Sequence, residues 1–173
     1  MARPETVKRV HAAVMALADR GGPGALTMEG IAAEARVGKQ TLYRSWLSVH
    51  AILFDALAGE SAALDASADD LTVIEVLRAA IDEISTEPRS SLLRMLAASI
   101  QTDEVVAQQF RKRLFEPQQA QITKLVAAAG YANPQASTEL LLAPIFYRWF
   151  LRLPQFRDDE LREHAERILD LGS

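Results

Sequence analysis

The chain has 173 residues, a mass of 19.0 kDa and a formal net charge of −4, with 49% apolar and 24% charged side chains. With only eight glycines and seven prolines, that apolar share offsets the entropy of ordering a backbone, which excludes a disordered chain. Cysteine is absent, which removes disulfides, thiolate nucleophiles and cysteine-based zinc sites, and the longest apolar run, Leu140 to Tyr147, is far below the roughly 20 residues of a membrane span.

Helical periodicity runs through nearly the whole chain and no stretch alternates with period two over strand length, so the fold class is all-α. A first helix follows Pro4, lines Val7, Val10, Val14 and Leu17 along one face and stops at Gly21, Gly22, Pro23 and Gly24. His11 lies on that stripe as a core-edge residue. Thr27 is placed to cap a short second helix ending near Ala35, with Glu29 at the positive end of its dipole. A third short helix is expected from about Gly38 to Arg44, and Ser48 caps a longer one through Ile52, Leu53, Leu57 and Leu64. Thr72 and Glu75 match a capping box ahead of Val76, Leu77, Ile81 and Ile84. Pro88 restarts the chain into Leu92, Leu93, Met95, Leu96 and Ile100. Thr102, Asp103 and Glu104 open a segment that Pro117 kinks or divides and that ends at Gly130. Its cationic run "FRKRLFEP", Phe110 to Pro117, reads as a solvated helix face. Asn133 and Pro134 begin an apolar helix through Phe150, bent at Pro144. Asp158 caps a last helix, followed by Asp159 and Glu160 in its first turn, with Leu161, Ala165, Ile168 and Leu169 in a stripe.

Chemistry concentrates between Thr27 and Arg44, two short helices joined by a tight turn, the proportions of a helix-turn-helix. Its inward positions, Ile31, Ala32, Ala35, Val37 and Leu42, are apolar and mostly small. The outward face of its second helix presents Lys39, Gln40, Thr41, Tyr43 and Arg44, all of them hydrogen-bond donors and two of them cations. Lysine and glutamine suit the edges of bases in a major groove, while threonine, tyrosine and arginine reach phosphate oxygens. Charge follows the same division. Residues 1 to 50 carry seven Lys/Arg against four Asp/Glu, and the remaining residues carry 12 against 19, so an acidic chain has a basic first third, as a protein that meets nucleic acid does. Spacing and charge together outweigh the blander reading of this face as merely solvated.

The segment "LTMEGIAAEARVGKQTLYRSW", Leu26 to Trp46, resembles the DNA-binding segment of the tetracycline-repressor family, whose pattern is roughly T-[hydrophobic]-x-x-IA-x-x-AGVS-x-x-TLYRHF followed by a Ser-Lys pair. The resemblance covers about the first 55 residues; beyond it the likeness is one of helical layout, with "LLLAPIFYRWF" similar to a late helix of one large subgroup. It implies an N-terminal three-helix helix-turn-helix domain over residues 1–47, then a larger helical domain over residues 48–173 for regulation, effector binding and dimerisation. It further implies a homodimeric transcriptional regulator, a repressor, on a palindromic operator in double-stranded DNA. Position by position, Thr27 and Tyr43 correspond to phosphate contacts, Lys39 and Gln40 to the groove-facing pair, and Thr41 and Arg44 to further DNA contacts. Three residues depart from the pattern. Arg36 stands where the turn glycine is usual, Gly38 replaces a capping serine, and Val49 takes the place of a phosphate-binding lysine.

The segment "ELLLAPIFYRWFLRL", Glu139 to Leu153, is apolar on nearly all sides, so more than one of its faces must be covered. Packing one face on the body and the other on the same helix of a second copy gives an isologous contact, and the resemblance supports that dimer over a deeply buried monomeric helix. Met95, Gln101, Gln108, Phe110, Phe115, Tyr147 and Trp149 offer aromatic or flexible surface for a small-molecule effector, although each such residue is more often ordinary core. No metal site or cofactor is expected, because His50 and His164 lack carboxylates at ligand spacing. No Ser/His/Asp set, phosphate loop or paired-carboxylate signature points to an enzyme. A cytoplasmic protein without membrane association is expected. The competing reading is an all-α interaction or ligand-binding module whose helix-turn-helix has lost its DNA function.

Overall fold

A computed structural model describes residues 3–65 and 71–170. Among the described residues every regular element is helical. In chain order these are α1 (Pro4–Gly21), a 3-10 turn (Pro23–Ala25), α2 (Met28–Glu34), α3 (Lys39–Ser45), α4 (Val49–Asp65), α5 (Val73–Ser85), α6 (Arg89–Ser99), α7 (Glu104–Phe110), a π-helical stretch (Arg111–Phe115), α8 (Glu116–Ala128), α9 (Pro134–Phe150) and α10 (Asp158–Asp170). The all-α expectation holds, and α2, α4 and α5 start where their capping residues put them. Thr27 Oγ1 accepts from the Gly30 amide at 3.0 Å, Ser48 Oγ from Ala51 at 3.2 Å, and Thr72 and Glu75 exchange reciprocal bonds. Leu64 of the fourth-helix stripe falls where side chains are not described.

Three expectations are corrected in detail. Asp103, not Thr102, caps α7, its Oδ1 accepting from the amides of Val105 and Val106. The break expected at Pro117 falls before it. Residues 111–115 widen into a π turn, and Pro117 then sits in the first turn of α8, where its missing N–H leaves no helical bond unmade. At the last helix Asp158 is the first helical residue and ion-pairs with Arg78, while Glu160 reaches back to the Arg157 amide at 2.9 Å.

The helices gather into two compact units. One holds α1 to α4 with α6, α7 and the chain up to Leu114; its core includes Val10, Val14, Ile31, Leu42, Ile52, Leu53, Phe54, Leu57, Leu92 and Leu96, each 2% exposed or less. The other holds α5, α8, α9 and α10 around Leu77, Ile122, Val126, Leu141, Ile145, Leu161 and Ala165. There Trp149 is buried and its indole N–H donates to the Ile84 carbonyl at 2.9 Å.

In the first unit one carboxylate ties distant segments together. Asp55 on α4 accepts from the Trp46 indole N–H at 3.2 Å and the Arg113 guanidinium at 2.9 Å, and lies 3.3 Å from His11 Nε2 on α1. Arg113 therefore turns inward from the cationic run, whose Arg111 and Lys112 stay exposed as a solvated face would. His11, expected at the edge of the core, meets this carboxylate there. Burial alone pushes the Asp55 carboxyl up, but the bonds from Arg113, Trp46 and His11 outweigh it and hold the carboxyl below its usual range. A group whose folded pKa is depressed contributes stability in full above the ordinary carboxylate range and loses it as pH falls through that range, about pH 4 and below. Thermal unfolding from about pH 7 to about pH 2 should therefore show wild-type stability falling more steeply below about pH 4 than that of Asp55→Asn, which starts less stable and has no such group to protonate.

Candidate nucleic-acid interface

Two short helices and the turn between them build the site. Gly30 lies in the first turn of α2, and a Cβ there would stand 3.0 Å from Thr27 Oγ1, so the absent side chain leaves the cap its room. Ile31 and Ala32 bury the inner face of α2 against α1, and a paired contact from Arg20 to Glu34, at 2.7 and 3.2 Å, joins the same two helices at the surface. That pairing holds the Glu34 carboxyl below its ordinary range.

α2 ends in a Schellman motif. The Val37 amide donates to the Ala32 carbonyl at 2.9 Å and the Arg36 amide to Ala33 at 3.1 Å, which places Arg36 in the left-handed region at φ 53°. Glycine is the usual residue for that backbone, and a side chain with a Cβ is strained in it by about 1–2 kcal/mol. The turn thus has the positive φ that the glycine of the resembled pattern provides, with an arginine in its place. Gly38 then caps α3 through backbone alone, its carbonyl accepting from Thr41 and Leu42.

α3 is braced from below. Leu42 is fully buried, Trp46 at its C-terminus is 7% exposed and bonded to Asp55, and Ala35 is covered; Val37, expected inward, is only half-buried. The other face is open. Lys39, Gln40, Tyr43 and Arg44 are exposed and Thr41 is half-exposed, so the five side chains singled out on this helix share one accessible side, with Thr27 exposed at the start of α2. The Tyr43 hydroxyl donates to Glu29 Oε1 at 2.9 Å. That bond raises the phenol above its usual pKa, while the backbone amide of Glu29 and then Tyr43 hold the Glu29 carboxyl low. Glu29 is the partner that sequence reading missed: it shows only as a first-turn acid, fourteen positions from the tyrosine it meets. Val49, where a lysine is usual, opens α4 half-buried and brings no charge.

The candidate effector residues do not form one cluster within a single unit. Met95, Gln101, Gln108 and Phe110 belong to the first unit, with the two glutamines exposed and Met95 and Phe110 half-buried. Tyr147, Trp149 and Phe115 belong to the second. Tyr147 is 60% exposed, Trp149 is committed to Ile84, and Phe115 packs edge-on against Phe146 at 5.4 Å between ring centres. Among the described residues no group of three or more histidines, aspartates or glutamates is placed to hold a metal ion. His50 lies against Ser99 Oγ at 3.3 Å, and His164 lies 3.2 Å from the Leu141 carbonyl.

Residues 10–55 match the family model described as bacterial regulatory proteins, tetR family, and residues 66–168 match the one described as tetracyclin repressor-like, C-terminal domain. YdeS of Bacillus subtilis strain 168, an uncharacterised HTH-type transcriptional regulator, is 25% identical over 174 residues, spanning 91% of this chain and 85% of that protein. Among solved structures, the TetR family transcription regulator SCO0332 shares the fold with a TM-score of 0.72 at 21% identity, covering 96% of this chain and 95% of its own. The multidrug binding protein EbrR, in complex with ethidium, aligns with a TM-score of 0.68 at 17% identity, covering 94% and 98%.

The strained turn makes a measurable claim. Arg36→Gly is expected to raise stability by about 1 kcal/mol, roughly 2–4 °C in Tm, because relief of the left-handed backbone exceeds the added freedom of the unfolded glycine. Calorimetric or circular-dichroism melting of the two proteins checks it, and a lowered Tm would show that the arginine side chain contributes more to the fold than its backbone costs.

Proposed function

The chain belongs to the tetracycline-repressor family of DNA-binding transcriptional regulators, and from that premise we propose a cytoplasmic homodimeric repressor that binds a palindromic operator and is released by a small-molecule effector. Members of this family are transcription factors rather than enzymes. The single observation that carries the reading is the outward face of α3: Lys39, Gln40, Tyr43 and Arg44 exposed together over a fully buried Leu42. Lys39 and Gln40 face base edges, and Thr27, Thr41, Tyr43 and Arg44 face phosphates. Tyr43 reaches a phosphate by exchanging its bond to Glu29, whose negative charge then moves away from the backbone of the duplex.

Dimerisation is supported by α9. Leu141, Leu142, Ile145 and Trp149 are buried in their own unit, whereas Leu140, Tyr147 and Phe150 are 52%, 60% and 62% exposed along the opposite side. Such a stripe suits an isologous contact with a second copy, and a two-fold pair of α3 helices fits half-sites about 34–36 Å apart, or a multiple of that. With the N-terminal domain as residues 1–47 and the regulatory domain as 48–173, the effector belongs to the regulatory domain. EbrR, a relative in fold, is a multidrug binding protein seen with ethidium, which supports a small organic effector here. Release follows when the effector prefers a state whose paired α3 helices no longer fit successive grooves; an effector indifferent to the two states shifts nothing.

Two substitutions test the groove assignment on duplex DNA taken from beside the gene. Lys39→Ala is expected to cost about 1–3 kcal/mol and to relax specificity at one base position, and Tyr43→Ala to weaken binding about equally across sequences. Light scattering should find both variants dimeric. Undiminished binding by both would remove α3 from the groove, and a wild type with no preference over random duplex would favour an interaction module instead.

A further inference from the structure

Beside α3 the first unit holds a cleft of about 460 Å³ lined by Arg3, Arg9, Arg36 and Arg44, with the hydroxyl-bearing Thr6 and Thr41 among them and no carboxylate in its wall. Several arginines elsewhere in the chain find acids: Arg20 meets Glu34, Arg113 meets Asp55 and Arg167 meets Glu163. The four arginines of the cleft form no ion pair with any described carboxylate. Glu34, which feels the charge of Arg36, is already taken by Arg20. Four like charges converging on one concavity repel one another unless an anion occupies it. One of the four also stands on the left-handed backbone of the turn, and a strained residue that persists at a surface points to a role outside the fold.

We propose that these arginines clamp a backbone phosphate of duplex DNA next to the groove that α3 enters, a reading that rests on the DNA-binding role given to α3 above. Arg3 precedes α1 as its N-cap residue, Arg9 lies on α1, Arg36 in the turn and Arg44 on α3, so a single phosphate gripped here fixes α1 and the recognition helix to the same point of the duplex. Arginine suits the task because its fork of donors meets two oxygens of one phosphate at once. The clamp also supplies the cation that Val49 fails to bring at the start of α4.

The test uses the full chain, a fluorescent duplex from beside the gene, and the variants Arg9→Gln, Arg36→Gly, Arg36→Lys and the Arg9→Gln/Arg36→Gly pair. Loss of one phosphate contact lowers the slope of log affinity against log salt by about 0.9, so the double variant should lose about 3.5-fold less affinity than wild type between 50 and 200 mM salt. Arg36→Lys should keep most of the slope. Because both residues hold one phosphate, the double variant should lose less affinity than the product of the two single losses. Arg36→Gly should bind more weakly while melting no lower than wild type, which separates the effect from misfolding. Parallel salt slopes for the double variant and wild type, or fully independent losses at the two positions, would overturn the clamp while leaving the α3 reading intact. A wild type that binds no duplex would overturn both. Calorimetric titration with inorganic phosphate gives the remaining arm: micromolar binding that the double variant loses, with an unchanged salt slope on DNA, would assign the cleft to a free anion and overturn the proposal.

Discussion

A helix of seven residues does not hold itself together in water. Isolated helices shorter than about 12–15 residues are marginal, so α3 exists only because tertiary contacts fix it. Leu42 anchors it from beneath, the Schellman turn of α2 sets its entry, and the bond from Trp46 to Asp55 fixes its exit. Once those three constraints are met, the side chains between them have one direction in which to point. The chemistry of the site is therefore a product of packing underneath it, and the polar face follows from the apolar one.

Asp55 carries this bracing well beyond the helix-turn-helix. Through His11 it reaches α1, through Trp46 the end of α3, and through Arg113 the π turn that follows α7. A π turn adds a residue to the helical repeat and rotates what comes after it, and here it coincides with the point at which a cation from an otherwise solvated run swings inward to the carboxylate. The node thus joins α1 and the end of α3 to Arg113, 58 positions beyond Asp55, within one compact unit.

What the sequence revealed was mainly local. Caps at Thr27, Ser48 and Thr72, the stops at Gly21 and Gly22, and the inward and outward positions of α3 all follow from residues within four or five positions of one another, where helical geometry leaves few alternatives. The Asp55 node does not, because its partners are 44, 9 and 58 positions away and no period links them. The cationic run at 110–117 looked uniform by composition, yet only packing decides that Arg113 differs from Arg111 and Lys112. Likewise the apolar character of α9 is plain from its residues, whereas the division between a buried side at Leu141 and Ile145 and an open side at Leu140 and Tyr147 depends on which neighbours arrive. Arg36 was visible as an exception to a pattern; that Arg3, Arg9 and Arg44 converge with it was not.

The two tryptophans of the chain fall one to each compact unit, and both are nearly sealed from water with their indole N–H groups engaged, Trp46 by a carboxylate and Trp149 by a backbone carbonyl. The molecule thereby carries a separate intrinsic fluorophore for each of its two compact units. Replacing either indole with phenylalanine leaves emission from a single known place, so the order in which the halves loosen under denaturant, or respond to a bound molecule, can be followed without attaching a dye.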